Sequence, residues 1–135
     1  MDKYGLKFHH WGLATKKSEK AVNFLKGLGY SISNSVFDPV QNVNLIMCTH
    51  PAMPDIEIIY PAKTSGHLDI ILKDNSESFY HICYTCKNLS DSLEIIRAEN
   101  RVITISERTP AILFSDKFVS FYLVAGFGII EILEE

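Results

Sequence analysis

FHHWGLATK (residues 8–16) and FYHICYTCK (residues 79–87) lie on one another at an offset of 71, with His10 over His81. Both stretches read as strands, with apolar residues recurring at a period of two. The match returns at the far end of each half. DIEII (residues 55–59) lies on IIEIL (residues 129–133) at an offset of 74, with Glu57 over Glu131. Internal self-similarity outranks local propensity, because it fixes the order of elements as well as their type.

Working outward, SEKAVNFLKGLGY (residues 18–30) places Val22, Leu25 and Leu28 or Tyr30 about one turn apart. This predicts a helix with Ser18 as its N-cap and Gly27 and Gly29 as stop signals. Strands are predicted at Ser31–Phe37, Val43–Thr49 and Ile56–Tyr60, separated by the turn-rich DPVQN and HPAMPD. A loop over 62–78 follows, with a short helical turn in HLDIIL. The order then restarts. NLSDSLEIIRAEN (residues 88–100) spaces Leu89, Leu93 and Ile96 as one helix face, with Asn88 and Asp91 in a capping arrangement. Strands are predicted at Val102–Ser106, Phe118–Val124 and Ile129–Leu133. The pattern is β-α-β-β-β twice, an α+β chain forming a single domain of two repeats, about 7–61 and 78–135.

The 135 residues are 47% hydrophobic and 21% charged, the balance of a globular chain with a sizeable core. A net charge of −3, with no basic cluster beyond Lys16–Lys17, argues against nucleic acid as a partner. MDKYGLKFHH lacks the apolar core of a signal peptide, and no apolar run reaches membrane-spanning length. A cytoplasmic protein with no membrane partner is expected. Cys48, Cys83 and Cys86 fit a reducing compartment. CYTC has C-x-x-C spacing but falls within a strand, where residues three apart face opposite ways. Buried, apolar-like thiols are therefore expected rather than a redox or zinc pair.

Glu57 and Glu131 each interrupt an apolar strand. Taken singly, such a Glu can face solvent on an edge, and a strand His can be a hydrogen-bonded core residue. Matched places in two repeats argue for a shared task. A lone buried carboxylate loses much of its solvation, and ligation of a cation removes that cost. Two imidazoles and two carboxylates suit a divalent ion of borderline to hard character. His9, His50 and His67 have no counterpart across the repeat and are read as surface or supporting residues.

HHWGLAT, IEIIYP, YHICY and GIIEILEE, in paired β-α-β-β-β modules, resemble the vicinal oxygen chelate superfamily. This is the group of glyoxalase I, methylmalonyl-CoA epimerase and extradiol dioxygenases, and the likeness spans nearly the whole chain. It implies a curved, partly open mixed β-sheet. It also implies one divalent ion (Ni, Co, Mn, Fe or Zn) held by His10, Glu57, His81 and Glu131. The succession IEIIYP, GHLDIILKDN, YHICY follows the layout of the epimerase-like members. The implied activity is that of a metal-dependent isomerase or lyase, lactoylglutathione lyase-like or acyl-thioester epimerase-like. Such an enzyme moves a proton next to a carbonyl while the metal stabilises the enolate. Glu131 is the first candidate base and Glu57 the second. Gln41 and Asn44, on the strand approach after DPV, are candidate donors to substrate oxygens, and Tyr60, Arg108 and Lys117 candidate contacts for a substrate tail. The expected partner is a small carbonyl compound or thioester, in a homodimer. Two alternatives share the fold: a metal-free protein that binds a small molecule or antibiotic, and an Fe(II) dioxygenase.

Overall fold

The computed structural model describes residues 2–135. The described residues divide into two compact units, His10–Tyr80 and a second made of residues 2–9 with His81–Glu135.

The His10–Tyr80 unit takes most of β1 (Leu6–Thr15), then α1 (Ser18–Gly27), β2 (Ser31–Ile32), β3 (Val36–Asp38), β4 (Val43–Thr49), β5 (Ile56–Pro61) and the short α2 (Leu68–Ile71). Its sheet runs β2-β4-β5-β1, with β1 parallel to β5, the other pairs antiparallel, and β3 also on β4. Leu25 of α1 packs with Tyr30, Ile46, Cys48 and Ile58 on one face of the sheet, joined by Leu13, Val22 and Tyr60. By alternation Glu57 and Ile59 point to the other face.

Ser18 is the first helical residue of α1, and its cap position falls to Lys17, which makes no side-chain capping bond. The helix closes differently at its far end. The Ala52 amide donates to His50 Nδ1 at 2.9 Å, so His50 Nε2 carries the proton and donates to the Leu28 carbonyl at 3.1 Å. Gly29 follows at φ +97°, where a Cβ would also stand 3.2 Å from that ring. The strand expected over Ser31–Phe37 is broken in two. Ser33 N–H donates to the Met47 carbonyl, and the Ser33 hydroxyl accepts from the Met47 amide in place of a backbone carbonyl.

The second unit holds most of β6 (Glu77–Cys86), then α3 (Leu89–Glu99), β7 (Val102–Ala111), a 3-10 turn at Ile112–Phe114, β8 (Lys117–Val124) and β9 (Gly128–Glu134). Its order is β6-β9-β8-β7, with β6 parallel to β9. Asn88 caps α3 as its spacing predicts, its side chain accepting from the Asp91 amide at 3.0 Å. Cys86, Tyr122, Ile130 and Ile132 form the core on the α3 side, with Leu89 and Leu93. Cys83, Ala111, Val119 and Leu133 form a separate cluster with Phe114. The cysteines of CYTC thus sit in different cores, and all three cysteines are buried and outside any disulfide. β7 continues past Ser106, where the predicted strand ends, through ERTPA. It ends the strand order and has register shifts between Thr104 and Ser106 and between Ser106 and Thr109. Bulges and Pro110 are tolerated on such an edge.

Candidate functional site

β1 and β5 run parallel with Gly12 opposite Glu57, and β6 and β9 run parallel with Cys83 opposite Glu131. In each unit the carboxylate faces a residue two places after the histidine, so His10 and Glu57 share a face, as do His81 and Glu131. The repeat seen in the sequence is thus a repeat of register. Parallel strands buried on both faces call for largely apolar residues, and these four titratable side chains are buried among them. His10 is wholly buried, and Glu57, His81 and Glu131 are at most 4% exposed.

His10 Nε2 stands 3.7 Å from Glu57 Oε1, and His81 Nε2 stands 3.4 Å from Glu131 Oε1. A charge-assisted hydrogen bond closes to about 2.7–2.9 Å. Two donors on one ion, each at about 2.0–2.2 Å and spread by 90–120°, lie about 3.0–3.7 Å apart. Both pairs have the separation of co-ligands, and their nitrogen and oxygen donors fit a divalent transition ion. In the second unit the ring of Phe121 meets His81 edge-on, centroids 5.4 Å apart, and Phe121 itself pairs with Glu131 across β8 and β9. Phe121 therefore braces both members of that pair. The matching partner of Glu57 is Met47.

The profile of the glyoxalase/bleomycin resistance protein/dioxygenase superfamily matches residues 9–121. The chain belongs to this superfamily. Methylmalonyl-CoA epimerase from Mycobacterium tuberculosis is similar in structure, with a TM-score of 0.80 over 99% of this chain and 91% of that one, at 15% identity. A hypothetical protein from Bacillus halodurans C-125 gives 0.80 over 96% and 94%, at 19% identity. A methylmalonyl-CoA epimerase in complex with methylmalonyl-CoA and NH4+ gives 0.72 over 96% and 94%, at 16% identity. No curated protein matches the chain in sequence. These likenesses establish the vicinal oxygen chelate fold, an α+β mixed β-sheet architecture of two β-α-β-β-β modules.

The other residues singled out in the sequence are held in local structure. Gln41 lies in the turn after β3, its amide donating to Asp38 Oδ2 at 3.1 Å while Asp38 Oδ1 accepts from the Val40 and Gln41 amides. Asn44 pairs with Tyr60 across β4 and β5, one place out of step with Glu57, so both project on the α1 side of the sheet. Asn44 Nδ2 donates to the Pro61 carbonyl, and Tyr60 shares a 2.6 Å hydrogen bond with Ser35. Arg108 grips Glu134 through Nε and a terminal nitrogen at 2.6 and 3.0 Å and lies 4.2 Å over the Phe118 ring. Glu134 is three residues from Glu131 and faces the other way. Lys117 is exposed at the start of β8. His9 meets Phe114 edge-on, His50 closes α1, and His67 is exposed ahead of α2. Sequence reasoning missed Phe121 and the register position of Gly12. A lone glycine inside a strand is a visible signal, whereas Phe121 becomes legible only once the β8–β9 register is known.

Proposed function

We propose that the protein is a divalent-metal-dependent isomerase or lyase acting on a small carbonyl compound or thioester, with His10, Glu57, His81 and Glu131 holding one ion. The reading is carried by the two matched His–Glu pairs, with the same register step and the spacing of co-ligands. The likeness to methylmalonyl-CoA epimerases supports a proton-transfer reaction.

A bound divalent cation supplies Lewis acidity at the substrate's carbonyl oxygen. His10 and His81 serve as neutral imidazole donors that fix its position. Glu57 and Glu131 balance the charge, and a carboxylate that ligates through one oxygen keeps its second oxygen to accept a proton. That oxygen takes the proton from the carbon next to the carbonyl and returns it to the same carbon or its neighbour. The burial of all four side chains keeps bulk water from competing for the proton.

The test uses protein loaded with Mn or Co, incubated in D₂O with methylmalonyl-CoA, methylglyoxal plus thiols, and short 2-oxo or 2-methyl acyl thioesters. Mass spectrometry should show metal-dependent deuterium uptake at the α-carbon of at least one compound. Stoichiometric metal is expected in protein purified without chelators. Its absence, together with no uptake, overturns the proposal.

A further inference from the structure

In the second unit the N-terminal peptide, α3 and the turn between β8 and β9 enclose a cavity of about 410 Å³, a volume in the range of small-ligand sites. Leu6, Ile96, Val124 and Ile130 form its apolar walls, and Phe127, 59% exposed, stands at the rim. Ile130 alternates with Glu131 along β9, so the cavity lies on the opposite face of the sheet from the His81–Glu131 pair. Three polar groups join these walls. Tyr84 occupies the place of Leu13 at the offset of 71 that also pairs the histidines, so a position that is apolar in the first repeat carries a hydroxyl here. Among the described residues that hydroxyl has no hydrogen-bond partner, and burial raises its pKa, which keeps it a protonated donor. Asn100 donates through Nδ2 to the Ile96 carbonyl at 2.9 Å and to the Tyr4 hydroxyl at 3.2 Å. Asn100 Oδ1 is left to accept, and the Tyr4 hydroxyl keeps its proton to donate. Among the described residues no lysine or arginine lines the cavity, and its one charged lining residue is Asp2.

We infer that this cavity is a second binding site, separate from the proposed metal centre, for an uncharged phenol. A hydroxyl is the group that matches the polar set: it donates to Asn100 Oδ1 and accepts from Tyr84 or Tyr4. A lone carbonyl would set one acceptor against another at Asn100, and a carboxylate would meet Asp2 with no cation to offset it. A flat ring suits apolar walls that include the aromatic rings of Tyr84 and Phe127. A site built to hydrogen-bond a hydroxyl rejects the analogue that lacks it, because its own polar groups are then left unpaired.

The test titrates 4-ethylphenol, ethylbenzene and 4-ethylbenzoate by calorimetry into the full-length protein, with and without EDTA, and into Tyr84→Phe and Val124→Phe. The expected result is saturable binding of 4-ethylphenol that EDTA does not change, with ethylbenzene and 4-ethylbenzoate at least about tenfold weaker. Tyr84→Phe should weaken 4-ethylphenol about tenfold and leave ethylbenzene as it was, a split that a mere loss of packing does not produce. Val124→Phe narrows the cavity and should abolish binding. Absence of saturable binding overturns the inference, as do equal affinities for 4-ethylphenol and ethylbenzene, or 4-ethylphenol bound as tightly by Tyr84→Phe as by wild type. Binding that EDTA abolishes also overturns it, because the phenol then sits on a metal. A Val124→Phe variant that does not fold leaves Tyr84→Phe to decide. None of these outcomes depends on the proposed function, whose metal centre faces the other side of the sheet.

Discussion

His81 Nε2 and Glu131 Oε1 face each other at 3.4 Å from adjacent parallel strands, with Glu131 set opposite Cys83, two residues beyond the histidine. The relationship belongs to the backbone. A slip of one residue between β6 and β9 would turn Glu131 onto the α3 side, among Ile130 and Ile132. The register is held there by apolar contacts on both faces, so the pair is positioned before any ion arrives.

His10→Ala and His81→Ala should each lower bound metal at least about tenfold while leaving the far-ultraviolet circular dichroism unchanged, since one donor of the proposed set is lost and little volume is exposed. Elemental analysis after dialysis measures this. Unchanged metal in either variant removes that histidine from the ligand set.

Glu57→Gln and Glu131→Gln keep shape and remove charge and basicity. The proton-accepting carboxylate should show a loss of about 10²–10⁴ in α-proton exchange, and the other a smaller loss that follows its metal content. Near-normal exchange in Glu57→Gln, at full metal occupancy, would assign the proton to Glu131.

Burial pushes the Cys48 and Cys86 thiols up to about 11, from 9.0 for an exposed thiol. Burial also raises the Tyr84 and Tyr122 hydroxyls. A folded-state pKa above the unfolded value means that the native state resists losing the proton. The associated stability is complete below about pH 9 and is lost as pH climbs toward 11. Tm should therefore fall across that interval, and Cys48→Ala/Cys86→Ala protein should show a shallower fall. A wild-type Tm that is flat from pH 9 to 11 would contradict this.

The helix caps give predictions of opposite sign. Asn88→Ala removes the bond to the Asp91 amide and should cost about 1 kcal/mol, a Tm drop of roughly 3–6 °C. Lys17→Asp supplies α1 with a capping side chain it lacks and should raise Tm by a smaller amount. Differential scanning calorimetry on both variants distinguishes them.

Much of this is legible in the sequence. The two offsets pair the histidines and glutamates, and the cap of α3 follows from Asn88 and Asp91 alone. The reason is that period and capping are local. What is illegible depends on partners distant in sequence. Ser31–Phe37 alternates like one strand, but the Ser33 hydroxyl replaces a ladder bond to Met47 and splits it. The predicted strand stops at Ser106, yet an edge strand with two register shifts carries on through ERTPA and accommodates its charges and proline. That Asn44 and Tyr60 project on the α1 side of the sheet, away from Glu57, follows only from the β4–β5 register.

Among the described residues, those before His10 belong to the second unit. Leu6 joins the cluster under α3, Tyr4 accepts from Asn100 Nδ2 at 3.2 Å, and Lys3 pairs with Glu99. A gene cut between the repeats would hence yield a C-terminal fragment missing a plug of its own interior, supplied by the opposite end of the polypeptide. Co-production of both pieces, or a fusion that carries the N-terminal peptide across, is what would restore a soluble half.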